Sequence, residues 1–156
     1  MAENRGKQFE SIIRSAFAAV SNTTVVRLQD PTTGFLGNAN TCDFIIYNYP
    51  NQYFIECKTI HGNTFPLSNI SKHQWEGLSE VAPIKGVIAG VICWWVDKDV
   101  TMFMPIKELQ KFKAEGKKSV RFDDRNNKFI HLVGTKKRVF FNYNLKDFIE
   151  RTKQWK

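Results

Sequence analysis

The sequence predicts an α/β or α+β fold, a mixed sheet with helices packed against it, and does not separate the two classes. Three observations carry this. "NRGKQFESIIRSAFAAV" places Phe9, Ile12, Ile13, Ala16, Phe17 and Val20 on one helical stripe. "KGVIAGVICWWV" is a continuous apolar run rich in Val, Ile and Trp, which reads as a central strand buried on both faces. "CDFIIYNYPNQYFIECK" reads as two strands, 42–49 and 52–58, around a turn.

Taken in order, residues 4–20 form the first helix with Asn4 as its N-cap. "TTVVRLQ" is a strand, and "DPTTGFLGNANT", 30–41, is a loop with one Pro, two Gly and two Asn. After the hairpin, "HGNTFPL" reads as a loop and "SNISKHQWEGLSEVA" as a helix capped by Ser68 or Ser71. "DKDVTMFMP" is the hairpin partner of the central strand, and "IKELQKFKAEG" is a helix ended by Gly116. A basic turn region, the strand-like "FIHLVG" and "RVFFNY", and a terminal helix "LKDFIERTKQW" complete the chain. There is no repeat and no obvious linker, so the 156 residues are expected to form one domain, 1–105 as its core and 106–156 as a basic extension.

At 42% hydrophobic and 13% aromatic residues, the chain is expected to be globular. No apolar run approaches the roughly 18–20 residues that span a bilayer, and "MAENRGKQFE" has no apolar core of a signal peptide, so the cytoplasm is expected. Three cysteines, Cys42, Cys57 and Cys93, lie in strand-like runs without C-x-x-C spacing and read as reduced core thiols. His61, His73 and His131 are scattered and read as surface or phosphate-contacting residues; Trp94 and Trp95 end a buried strand.

The net charge of +8 is unevenly spread. Residues 1–106 hold 8 Lys and Arg against 9 Asp and Glu, whereas 107–156 hold 15 against 6. Basic residues interleaved with aromatics, as in "GTKKRVFFNYNLK" with Lys136, Lys137 and Arg138, suit a polyanion such as nucleic acid. The alternative is a solvated basic face.

The hairpin carries carboxylates where core residues are expected. Glu56 and Lys58 share a strand face, and Cys57 points to the other. A two-residue turn at Pro50–Asn51 would pair Asp43 with Lys58, while a four-residue loop, 48–51, would pair Tyr47 with Gln52 and hence Asp43 with Glu56. Either even-length loop gathers the three groups into one patch. Two adjacent carboxylates resist burial unless a cation lies between them. Lys58 alone would make a salt bridge. A divalent ion, Mg²⁺ by its preference for oxygen ligands, would make a site for attack on phosphorus. The spacing leaves both readings open.

Asp43 followed by Glu56-x-Lys58 resembles the D…(D/E)-x-K core of the PD-(D/E)XK nuclease superfamily. The longer stretch "ECKTIHGNTFPLSNISKHQWEGL" closely resembles the RecU-type Holliday junction resolvases, in which E-x-K leads into T-x-F-P-L and then a helix with H-Q. "NRG" at 4–6 and the acidic Glu10 add to it, and the likeness covers roughly residues 4–105. This resemblance implies a restriction-endonuclease-like mixed sheet and a homodimeric, Mg²⁺-dependent endonuclease, with Mn²⁺ substituting, that nicks four-way DNA junctions symmetrically. It implies Asp43, Glu56 and the Cys57 carbonyl as metal ligands, with Glu10 completing the site or backing it. Lys58 would orient the water and Gln74 would face the site. Arg5 would contact the DNA backbone, and Thr41 matches a polar position near the site in these enzymes. From the sequence alone, His73, beside Lys72 and Gln74 at a helix start, is the histidine best placed to touch phosphate.

Two departures stand out. Cys42 precedes Asp43 where the motif's name has Pro, and only 30–41 occupies the place of the long stalk that enters the junction in these enzymes. Phe35 and Leu36, flanked by glycines, either tuck back onto the core or wedge into a branch point there. The short stalk and small size suit a phage or mobile-element version in a bacterial or phage-infected cell. The rivals are a nuclease of the same fold acting on linear or damaged duplex, and a non-catalytic DNA-binding protein on the same scaffold.

Overall fold

The computed structural model describes residues 2–29 and 40–155. The chain enters through α1 (Ala2–Ala18) and β1 (Thr24–Arg27), and then the hairpin of β2 (Phe44–Asn48) and β3 (Asn51–Ile60). A short β4 (Thr64–Pro66) precedes α2 (Lys72–Val81), β5 (Val87–Trp95) and β6 (Val100–Pro105). There follow α3 (Ile106–Ala114), β7 (Ser119–Arg121), β8 (Ile130–His131), β9 (Gly134–Lys136), β10 (Phe141–Tyr143) and α4 (Lys146–Lys153). Asn4 therefore lies inside the first helix and does not cap it. "HGNTFPL" is not wholly loop, because β4 pairs antiparallel with β7, and the basic turn region contains β7.

The main sheet has the order β1-β2-β3-β5-β6-β8. β3 and β5 run parallel through nine aligned residues, with α2 as the crossover, and the other neighbours are antiparallel. The central place of β5 follows from its composition: every residue from Ile88 to Trp95 is buried. Trp94 and Trp95 are accordingly core residues, at 2% and 0% exposure.

Alternation along β5 divides the core in two. Ala89, Val91, Cys93 and Trp95 join Leu78 of α2 and Ile106, Leu109 and Phe112 of α3 on one face. Ile88, Ile92 and Trp94 join Phe9, Ile13 and Phe17 of α1 and Phe148 and Ile149 of α4 on the other. The result is three layers, helix-sheet-helix. The basic C-terminal third supplies core to both outer layers: Tyr53 and Thr152 share a hydroxyl hydrogen bond of 2.6 Å between β3 and α4.

α2 lies very close to the strand entry at Thr41. A Cβ at Gly77 would stand 2.4 Å from the Thr41 Cγ2 and 2.5 Å from its Oγ1, so only glycine permits this approach. Gly77→Ala is expected to lower unfolding stability by about 1–3 kcal/mol through forced separation of α2 from the sheet. Urea unfolding measures this; an unchanged midpoint would mean that the approach is not required.

Candidate active site

β2 and β3 pair Tyr47 with Gln52 and Asn48 with Asn51 around the two-residue loop Tyr49-Pro50. The loop is even, as the sequence required for one patch, and its register is that of the Asp43–Glu56 alternative: Phe44 stands opposite Ile55, so the next pair is Asp43 and Glu56. Tyr53 and Ile55 belong to the α1–α4 core, and therefore Glu56 and Lys58 point to the α2–α3 side. Asp43, in step with Ile45, faces the same way.

Here the two strands part. The Asp43 N–H still donates to the Ile55 carbonyl at 3.0 Å, but the next donor, the Cys57 N–H, is met by the Asp43 carboxylate at 2.8 Å. The side chain thus completes the ladder where the backbone leaves it. Glu56 is 4% exposed. Its Oε1 receives two donors, Lys58 Nζ at 3.2 Å and Gln74 Nε2 at 2.8 Å.

Gln74 is aimed by a capping box. The Ser71 hydroxyl accepts from the Gln74 N–H at 3.1 Å, and the Gln74 Oε1 accepts from the Ser71 N–H at 3.1 Å. With its carbonyl end committed to the helix cap, only the NH₂ end is left for Glu56. Ser71, and not Ser68, is the cap.

Burial dominates the electrostatics. It raises the Asp43 carboxyl to about 6, against the lowering effect of the Cys57 N–H, with the Glu10 charge adding to the rise. It raises Glu56 to about 7, reinforced by the Asp43 charge and opposed by Lys58. Burial also pushes the Cys42 thiol up to about 12 and the Cys57 and Cys93 thiols well above the ordinary range, which disfavours their thiolates.

Glu10 approaches from the opposite layer on α1. Its charge is felt by both acids, but its carboxylate is bound by Arg27 of β1 at 2.7 Å. Among the described residues no group of three or more His, Cys, Asp or Glu stands together as a metal cage. Arg5 lies beside His61, Nη1 to Nε2 3.4 Å, and His61 Nδ1 lies 2.9 Å from Asp97. Thr41 packs on Gly77; Lys72 and His73 are exposed at the start of α2. Lys136 pairs with Asp99, while Lys137 and Arg138 are exposed beyond β9. Phe35 and Leu36 lie outside the described residues. Neither Arg27 nor the His61–Asp97 pair was singled out from the sequence, because each pairs with a residue many positions away.

The family model of RecU, recombination protein U, matches residues 19–146. The chain belongs to the RecU family. RecU proteins are nucleases that resolve Holliday junctions, and this chain is a nuclease of that kind. The match runs past residue 105, where the motif resemblance ended, through most of the basic third; it begins after Arg5 and Glu10. No curated protein matches the chain by sequence. Among solved structures, Archaeoglobus fulgidus Hjc, a Holliday junction resolvase from an archaeal hyperthermophile, is similar at 19% identity and a TM-score of 0.49. That likeness covers 66% of this chain and 78% of Hjc, and is too distant to bear on the site.

RecU membership implies a divalent metal. The donors present suit one: two carboxylates side by side with hard oxygen atoms, both raised by burial even with Lys58 beside them.

The pH dependence of stability follows from the two raised carboxyls. Their folded-state values exceed the unfolded ones, so their contribution is present below about pH 4 and is lost as pH rises through 6 and 7. Without metal, the unfolding free energy of wild type is expected to fall between pH 5 and pH 8 relative to Glu56→Gln by an amount on the order of 2 kcal/mol, read from urea unfolding at each pH. A divalent ion should restore stability at pH 8 much more than at pH 5. Parallel pH profiles for the two proteins would contradict this.

Proposed function

We propose that this RecU-family chain cuts four-way DNA junctions with Mg²⁺ as its metal, Mn²⁺ substituting, and does so as a homodimer whose two sites nick opposed strands symmetrically. Asp43 and Glu56 hold the ion, the Cys57 carbonyl reaches the same ion, and Glu10 completes the site from behind. The observation that carries this reading is the convergence of Lys58 and Gln74 on one oxygen of buried Glu56, with Asp43 alongside.

When bound, the ion polarises the phosphoryl oxygen and steadies the leaving oxygen. The chain's own residues do the rest. Gln74, locked by the Ser71 cap, fixes the Glu56 carboxylate through its Oε1, which Lys58 also holds, and Oε2 would be the oxygen offered to the ion. Lys58 orients the attacking water and adds positive charge beside the phosphate. Arg5, Thr41, Lys72, His73, Lys136, Lys137 and Arg138 contact the DNA, with Phe35 meeting the branch point from the short 30–41 loop. The 156 residues act as one domain, in the cytoplasm with the DNA they cut.

A synthetic junction and a linear duplex of the same sequence, each given wild type or Glu56→Gln in Mg²⁺ or EDTA, test this. Paired symmetric nicks in the junction alone are expected from wild type with Mg²⁺. EDTA should abolish them, and Glu56→Gln should slow them at least 100-fold. Equal cutting of linear duplex would remove the junction selectivity.

A further inference from the structure

The structure lays part of the basic third across the helix that serves the active site. α2 and the segment 111–118 enclose a groove of about 760 Å³ whose walls include Leu67, Ile70, Lys72, Trp75, Lys113 and Lys118. A backbone bond from the Leu67 N–H to the Lys118 carbonyl, 2.9 Å, ties the basic segment to the chain just before α2. The groove and the active site share the first turn of α2: Gln74 points down to Glu56, and Trp75, the next residue, lines the groove.

Its charge is one-sided. Four lysines, 72, 113, 117 and 118, line it with a single carboxylate, Glu76, which lies 3.8 Å from Lys72. Lys117 is offset by Asp124 at 3.3 Å and sits 4.4 Å from the Phe112 ring centroid. Lys113 and Lys118 have no carboxylate partner among the described residues. Lys113 is held instead with its ammonium 4.6 Å from the centroid of half-buried Trp75, a cation–π contact that fixes the position of the charge without neutralising it. With one face taken by Lys113 and much of the ring buried, Trp75 serves to position that charge and not to stack on a base.

We propose that this groove seats the sugar-phosphate backbone of one duplex arm of the junction, with Lys113 and Lys118 each on a phosphate, and so sets the arm's approach to Glu56. The inference rests on the junction-cutting reading and adds to it a DNA-contacting surface formed by residues 67–76 and 113–118. A single positioned row of phosphates suits it, because fixed ammonium groups with no internal partner gain most from releasing the counterions of a polyanion.

The test is binding of a fluorescent four-way junction in EDTA across a salt series. Wild type is compared with Lys113→Gln/Lys118→Gln and with Lys146→Gln/Arg151→Gln, an equal charge change on α4 in the opposite layer. The groove variant is expected to bind about tenfold more weakly at low salt, with a salt slope shallower by about 2, one for each phosphate lost. Lys113→Arg/Lys118→Arg should keep the wild-type slope, and truncating the junction arms should erase the difference between wild type and the groove variant. A groove variant that behaves like the α4 variant overturns the groove while leaving the resolvase; a wild type that neither binds nor cuts the junction overturns both.

Discussion

Two carboxylates that cannot comfortably both be charged occupy one face of the sheet, and much of the surrounding structure is arranged to keep them there. Asp43 and Glu56 are opposed across β2 and β3 and buried against the α2 layer; burial raises both, and the Asp43 charge raises Glu56 further. Burying a carboxylate with no countercharge costs several kcal/mol, so such a pair persists only where neighbours constrain it. The constraints here are identifiable. The Cys57 N–H holds Asp43, Lys58 and a capped Gln74 hold Glu56, and the Gly77–Thr41 approach brings α2 near enough for Gln74 to reach. The residual strain is electrostatic, and a divalent cation held by the pair, as proposed above, would relieve it.

The rest of the fold supports that face from behind. α1 and α4 cover the opposite side of the sheet, and α1 contributes Glu10, whose charge reaches both acids while Arg27 holds it at the end of β1. The basic third is built into the protein as structure: α3 and β7 buttress α2, and α4 is bonded to β3 through Thr152. Positive charge from the basic third thus comes to stand beside α2, where Lys113 and Lys118 line a groove with Trp75.

The sequence made the face legible because strand alternation is local. The shared face of Glu56 and Lys58 follows from a period of two, and so does the condition that only an even loop brings Asp43 to that face. The choice of register did not follow, because it depends on distant contacts. Asn48 and Asn51 look like turn residues, yet they form the last strand pair. Asn48 donates to Ser21 and Asn22 carbonyls and to the Thr23 hydroxyl, and Asn51 donates to the Thr152 carbonyl 101 residues away. β4 reads as loop in the sequence because it is three residues long and contains Pro66, and its partner β7 is more than fifty residues on. Gln74 emerged from family resemblance and not from spacing, since only the capping box tells which end of its amide faces Glu56.

The central claim is that Asp43 and Glu56 form a protonation-sensitive metal site. Calorimetric titration of Mn²⁺ into the metal-free protein near pH 6.5, repeated in buffers of different ionisation enthalpy, counts the protons released on binding. Binding with measurable proton release, weaker at pH 5.5 and abolished together with the release in Glu56→Gln, is the predicted result. Binding that releases no protons, or that survives unchanged in Glu56→Gln, would place the metal elsewhere and contradict the account.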